Sequence, residues 1–249
     1  MDEREHEQSA GTPTWADVAT ADTAATAGFF TQLLDWQVDD GSQELGGYRI
    51  AMAQKMATSG ISEPMLPDGE QHTQDETLVY LATDDVDDTV TRVTELGGSM
   101  EQEPRDVAEL GRMAVATDPQ GNRFGLWQAG SLGGFSAVND QGLPTWFEVR
   151  GSDIDALAAF YGELFGMDLQ EQSFAHGHYR VNDRFGITDG ELGWIVYYWV
   201  LDLPAAMEKA LGLGASVELE PYSFEYGSAA DLRTPGGARF GLFQPAPQG

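Results

Sequence analysis

Thr117–Gln128 reads TDPQGNRFGLWQ, and a shortened copy of it, TPGGARFGLFQ, stands at Thr234–Gln244. In both, a turn built from Pro and Gly runs into a segment where apolar and small residues alternate, the period-two pattern of a strand. Alternation puts Arg123, Gly125 and Trp127 on one face and Phe124, Leu126 and Gln128 on the other. A strand ending that occurs twice predicts two domains. It also makes Gly125 and Gly241 the positions to follow, because a glycine on a cleft wall leaves room beside it.

The text upstream repeats as well. PTWADVATADTAATAGFFTQLLDW begins at Pro13 and PTWFEVRGSDIDALAAFYGELFGM at Pro144. Asp22 maps to Asp153, Phe29 to Phe160, Phe30 to Tyr161, Leu33 to Leu164 and Trp36 to Met167 without a gap, which marks a duplication. Phe29, Phe30, Leu33 and Leu34 form the apolar stripe of a helix capped by Asp22 or Thr23. Strands are expected at Trp36–Asp39, Tyr48–Gln54 and Ser59–Glu63, before a loop, PMLPDGEQHTQDE. A second strand-helix unit opens with ETLVYLAT. Asp84 or Asp85 caps its helix, Gly97 and Gly98 end it, and SMEQEP, GRMAVAT and RFGLWQ follow as strands. Each half thus holds the order βαβββ twice, and the chain holds it four times.

The expected layout is an acidic disordered tail at 1–11, a first domain at 12–129, a Gly-rich linker at 130–143 and a second domain at 144–246. The second domain is shorter because ITDGELG replaces the long Pro-containing loop, which predicts a more open rim.

The composition narrows the partners. A formal charge of -28 would repel nucleic acid and anionic membranes over the whole surface and would suit a cationic guest. The absence of cysteine removes thiolate metal sites, disulfides and a Cys nucleophile. No apolar run is long enough to span a bilayer, and MDEREHEQSAG is too acidic for a signal peptide, so the cytoplasm is the expected location.

The paired βαβββ units, their DPQGN-x-x-G-L ending and the mid-domain strand followed by Asp-Val-Asp and a helix resemble the vicinal oxygen chelate superfamily of glyoxalases, bleomycin-resistance proteins and extradiol dioxygenases. The likeness runs from Pro13 to Pro245 and is greatest to the tandem two-domain glyoxalase-like proteins, some of them tied to aromatic polyketide pathways. It implies an α+β fold in which four βαβββ units form two tandem glyoxalase-like domains with curved mixed sheets. Metal-dependent members hold a divalent ion with His, Gln or Glu on three strands of a domain. By motif those places fall on Trp15, Leu78 and Gly125 in the first domain and on Trp146, Ile195 and Gly241 in the second. None of the six offers a metal-binding side chain, so no metal and no cofactor is expected.

Candidates for chemistry follow from strand alternation. Asp17 shares a face with Trp15, and Glu148 with Trp146; a carboxylate beside an indole on an otherwise small and apolar strand suits general acid or base work, or a structural anchor. Tyr80 and Tyr197 occupy equivalent places, as do Tyr48 and Tyr179; each phenol could donate to a ligand oxygen, stack on a ring, or simply fill the sheet. Arg112 could fork onto an anionic or carbonyl oxygen, or pair with a carboxylate. His178 is a possible ligand contact; with His176 it makes two imidazoles on one face, a weak metal pair.

These readings converge on a metal-independent, glyoxalase-like enzyme acting on a small oxygenated, aromatic polyketide-type metabolite through Asp17 or Glu148. A bleomycin-resistance type binding protein is the alternative, and a metal-dependent lyase or dioxygenase with atypical ligands the third reading. Four units complete their own pairings in one chain, so a monomer is expected first and a homodimer second.

Overall fold

The structure is a computed structural model that describes residues 9–42, 46–64, 75–174 and 177–247. Four copies of one module follow each other. The first is β1 (Pro13–Ala19), α1 (Thr23–Leu34), β2 (Gln37–Val38), β3 (Arg49–Ala53) and β4 (Met56–Ser62). The second is β5 (Glu76–Ala82), α2 (Val86–Glu95), β6 (Ser99–Val107), β7 (Gly111–Thr117) and β8 (Arg123–Ala129). The third is β9 (Pro144–Gly151), α3 (Ile154–Phe165), β10 (Gln170–Phe174), β11 (Gly177–Val181) and β12 (Gly186–Asp189). The fourth is β13 (Gly193–Trp199), α4 (Leu203–Gly212), β14 (Ser216–Phe224), β15 (Gly227–Arg233) and β16 (Arg239–Pro245).

An aspartate starts every helix. Asp22 accepts from the Ala25 amide at 2.9 Å, Asp85 from those of Asp87 and Asp88 at 3.0 Å, Asp153 from Ala156 at 3.0 Å and Asp202 from Ala205 at 3.0 Å. Each cap satisfies amides that the helix leaves unpaired and is worth about 1 kcal/mol. Between the two candidates offered for each of the first two helices, the caps are Asp22 and Asp85.

The strands form two eight-stranded sheets. Sheet 1 has the order β2-β3-β4-β1-β5-β8-β7-β6, and sheet 2 repeats it as β10-β11-β12-β9-β13-β16-β15-β14. The pairs β1·β4, β5·β8, β9·β12 and β13·β16 are parallel, whereas the hairpin pairs are antiparallel. This is the expected α+β architecture with two curved mixed sheets. Among the described residues no helix is long and apolar enough to cross a membrane.

Residue packing groups the chain into two compact units, with bounds inside β1, β5, β9 and β13 and one after Gly134, between β8 and β9. One comprises Met1–Trp15, Val79–Gly134 and Glu148–Trp194. Here the turn of TDPQGN acts as a fastening. Asp118 accepts from the amides of Gln120 and Asn122, from Asn122 Nδ2 at 2.8 Å and from the Tyr161 hydroxyl of α3 at 3.0 Å. Asn122 Oδ1 accepts from the Gly193 amide, and Gln120 bonds both ways with the segment Ser152–Asp153 ahead of α3. Burial, reinforced by the Asp118 charge, holds the Tyr161 phenol well above its usual pKa. The Phe124 ring meets those of Phe160 and Tyr161 edge-on. At the front of this unit Gly11, which the sequence reading leaves in the tail, is buried and donates to the Ala82 carbonyl at 2.8 Å. Residues 1–8 lie outside the described ones.

The other unit comprises Ala16–Leu78, Phe135–Phe147 and Ile195–Gly249. Phe240 packs edge-on against Phe29 and Phe30 of α1, and Phe30 stacks on Trp36. The shortened turn TPGGA also has a physical reason. Gly236 accepts from the Asp75 amide at 3.0 Å, and a Cβ on Gly236 would overlap the Asp75 carboxylate. The linker contributes to this core too, through fully buried Leu143 and through Gly142, which accepts from Trp36 Nε1 at 2.8 Å. The loop that the sequence reading contrasts with ITDGELG runs through 65–74, outside the described residues.

Because Phe124 and Phe240 face helices, Gly125 and Gly241 face the opposite, helix-free side of their sheets. Tyr80 lies opposite Gly125 in the β5·β8 register, and Tyr197 opposite Gly241 in β13·β16. A Cβ on either glycine would overlap the neighbouring tyrosine ring. The expected widening of each cleft at these glycines is therefore corrected: the space is taken by a ring. Gly125→Ala should cost about 1–3 kcal/mol in urea unfolding by overpacking, and combined with Tyr80→Ala it should cost less than the two single changes added together.

Candidate functional site

On the helix-free side of sheet 1, Asp17 of β1 sits opposite Gly60 of β4. The Tyr48 hydroxyl, just ahead of β3, donates to Asp17 Oδ1 at 2.5 Å. Both groups lie over Gly60, where a Cβ would overlap them, so the glycine makes the meeting possible. Asp17 is 3% exposed. Its carboxylate is thus buried and oriented by a short bond. The buried Tyr198 hydroxyl, 3.0 Å from Ser59 Oγ, has its pKa raised, mainly by burial and further by the Asp17 charge. Trp15 is buried on the same strand.

Glu148 is the positional counterpart of Asp17, opposite Gly186 in the β9·β12 register. A charged group stands beside it: Arg150 Nη2 lies 3.4 Å from Glu148 Oε2, and both residues are buried. A buried carboxylate beside a guanidinium is an ion pair whose two members compensate each other's lost hydration.

Sheet 2 also assembles a polar group that sequence reasoning missed. The Tyr197 hydroxyl donates to Asp231 Oδ1 of β15 at 2.9 Å, and the Tyr222 hydroxyl of β14 stands 3.5 Å from that of Tyr197. Asp231 is fully buried. Around Tyr197, Ile195 and Ala229 pack the half-buried Trp146, Tyr222, Phe224 and Phe243. The signal for Asp231 was present: GSAADLR laid on GRMAVAT sets it on Val115, a lone carboxylate in a strand of small and apolar residues.

The remaining candidates scatter. Tyr80 fills the space over Gly125. Arg112 forks onto Asp87 of α2 at 3.0 Å and onto Asp106 at 2.9 Å, which holds its guanidinium on the exposed surface. His178 lies on exposed β11, with its Nδ1 3.1 Å from Ser173 Oγ. Tyr179, beside it, is half-buried and pairs with Thr188 across β11·β12. His176 lies outside the described residues. Of the predicted residues, the structure joins Asp17 with Tyr48 and groups Trp146 with Tyr197.

The three positions implied for a metal hold Trp15, Leu78 and Gly125 in one half and Trp146, Ile195 and Gly241 in the other, and rings cover both glycines. Among the described residues no group of three His, Asp or Glu is placed to hold an ion. The side chains at these six positions do not fit the ion.

Four βαβββ modules arranged as two eight-stranded sheets define a tandem protein of the vicinal oxygen chelate superfamily. A glyoxalase-like domain model matches residues 15–127. The chain is 34% identical over 255 residues to "Putative glyoxylase CFP32" of Mycobacterium tuberculosis (strain CDC 1551 / Oshkosh), covering 96% of each chain. It is 32% identical to the anthracycline biosynthesis protein DnrV of Streptomyces peucetius, covering 94% of this chain and 93% of that one. The chain belongs to the glyoxalase-like family. Its fold is shared with the 2,3-dioxygenase LapB from Pseudomonas sp. KL28, at TM-score 0.65 and 14% identity over 96% of this chain and 94% of that one. The Mn(II)-bound glyoxalase from Novosphingobium aromaticivorans matches at TM-score 0.64 and 16% identity, over 95% and 82%.

Since a ligand that binds only the folded state raises stability with its concentration, Mn(II) provides a test of the donor set. Thermal unfolding in millimolar Mn(II) should match that in chelator; a midpoint that rises with Mn(II) would contradict the poor fit.

Proposed function

We propose that this chain is an enzyme that moves a proton on a small oxygenated metabolite of aromatic polyketide type, with Asp17 as acid and base. The observation that carries the proposal is the buried Asp17 carboxylate bound at 2.5 Å by the Tyr48 hydroxyl. A buried, pre-oriented carboxylate needs little reorganisation when it accepts a proton. By taking one from a carbon beside a carbonyl, Asp17 becomes a carboxylic acid and the substrate an enolate. Returning the proton to the enolate at another atom completes an isomerisation without a co-reactant. The substrate class is supported by the relative named as an anthracycline biosynthesis protein. Glu148, ion-paired with Arg150, serves as a structural anchor.

Exchange of the α-protons of 1-tetralone with deuterated water, followed by proton NMR, tests the proposal. Asp17→Asn should slow the protein-dependent exchange about 10²- to 10⁴-fold while the protein stays folded. Glu148→Gln should lower stability and leave the exchange rate of the folded fraction unchanged. Undiminished exchange in Asp17→Asn, or a wild-type protein that never exceeds the buffer rate, would overturn the proposal.

A further inference from the structure

The duplication builds one joint twice, once in each compact unit. Each half enters its first strand through a glycine in the left-handed region, Gly11 of GTPTW at φ 80° and Gly142 of GLPTW at φ 75°. Their amides donate to corresponding carbonyls, Gly11 to Ala82 at the end of β5 at 2.8 Å and Gly142 to Trp199 at the end of β13 at 2.9 Å. The side chain that meets each glycine is equivalent as well. Helices α1 and α3 end on left-handed caps, Asp35 and Gly166, and the next residue in each case, Trp36 or Met167, reaches the glycine. A Cβ on Gly11 would overlap the Met167 methyl and the Phe165 side chain.

The two joints differ in their chemistry. Trp36 is fully buried and its Nε1 donates to the Gly142 carbonyl at 2.8 Å. Met167 is half-buried, and its Sδ accepts from Asn182 Nδ2 at 3.0 Å. Asn182 is itself held in the turn between β11 and β12, since its Oδ1 accepts from the Arg184 and Phe185 amides. Arg184 donates through Nη1 to the Ala10 carbonyl at 2.5 Å, so the same turn grips both the arm at 9–12 and the thioether beneath it. The chain has no cysteine, which leaves reversible sulfur oxidation to methionine. Met113 and Met207 are buried in the core and shielded from an oxidant. At Met167 an added oxygen has no place on the line to Asn182, because 3.0 Å is the length of one hydrogen bond by itself. The sulfur would have to retreat, and its methyl already fills the space over Gly11.

We infer that Met167 is an oxidation-sensitive latch on the arm at 9–12. Hydrogen peroxide transfers one oxygen to the thioether: the O–O bond breaks, the sulfur gives up two electrons to become a sulfoxide, and water leaves. The larger, polar side chain lifts Gly11 off the Ala82 carbonyl and opens the joint. Two thiols reverse the step, carrying the oxygen away as water and ending as a disulfide between themselves. The matching joint over Trp36 contains no sulfur and stays closed. This latch lies apart from Asp17 and goes beyond the proposed reaction, adding a modification site that acts whatever Asp17 does.

Treating the full chain with hydrogen peroxide, locating methionine sulfoxide by peptide mass spectrometry and following hydrogen exchange of the Gly11 and Gly142 amides by NMR tests the latch. Sulfoxide at Met167 should speed exchange at Gly11 about tenfold, the protection given by one hydrogen bond, and leave Gly142 unchanged. Methionine sulfoxide reductase with a thiol should restore the slow rate. Met167→Leu, which conserves volume, should keep Gly11 slow before and after peroxide. Met167→Gln, polar and of similar length, should make Gly11 fast without any oxidant. Three results would overturn the latch: Met167 left reduced while the half-buried Met52, Met56 and Met100 are oxidised, a Gly11 rate unchanged in protein that carries the sulfoxide, or a peroxide effect that persists in Met167→Leu. Equal acceleration at Gly142 would also overturn it, since that marks general loosening of the fold.

Discussion

A tyrosine ring lying on a glycine of the neighbouring parallel strand is the constraint on which both sheets depend. Tyr80 covers Gly125 and Tyr197 covers Gly241, each at a distance that a single added carbon would close. Glycine is weak as a strand residue, because it brings no side chain and loses much freedom on folding. A ring packed across it restores buried apolar area and excludes water from the ladder. The same device has different consequences in the two sheets. Over Gly241 the ring is aimed at the carboxylate of Asp231, while the corresponding position beside Gly125 is Val115. One half retains only the packing, and the other adds a directed hydroxyl.

Divergence after duplication also separates the two carboxylates that the repeat makes look alike. Asp17 and Glu148 occupy equivalent strand positions opposite equivalent glycines, Gly60 and Gly186. Tyr48 holds the first through a neutral hydroxyl, whereas Arg150 compensates the second with charge. A phenol orients a carboxylate without cancelling its charge. A guanidinium beside a carboxylate compensates that charge. Arginine is put to this use elsewhere in the chain: Arg123 pairs with Glu101, Arg233 and Arg239 share Glu218, and Arg112 and Arg180 each bind two carboxylates near the surface. With 13 basic residues against 41 acidic ones, the cations fasten structure and leave the surface field to the acids.

The opening motif changed its meaning most. Asp118 and Asn122 of TDPQGN are buried and saturated with hydrogen bonds to their own turn, to Tyr161 and to Gly193. They hold the turn to a helix of the third module and to the strand start of the fourth, with Asp118 accepting throughout and the Asn122 amide both donating and accepting. The second copy becomes TPGGA where Asp75 occupies the space that a side chain at 236 would need. What looks like decay of a motif is the replacement of one fastening by another.

The sequence by itself determined the module, its fourfold repetition, the aspartate at each helix start and the alternation that puts Asp17 with Trp15 and Glu148 with Trp146. All of these are local, set by spacing along a strand or helix and by the first hydrogen bonds of a turn. Only the tertiary structure decided which residues share a site, since that depends on register between strands far apart in the chain. Tyr48 reaches Asp17 across β3, β4 and β1, and Tyr197 reaches Asp231 only because β16 lies between β13 and β15. Arg112, plausible as a ligand contact on its strand, is drawn away by Asp87 of a helix 25 residues earlier. The glycines at the end of each repeat were legible as empty positions. That a ring fills them is a fact of strand pairing, which no single strand contains.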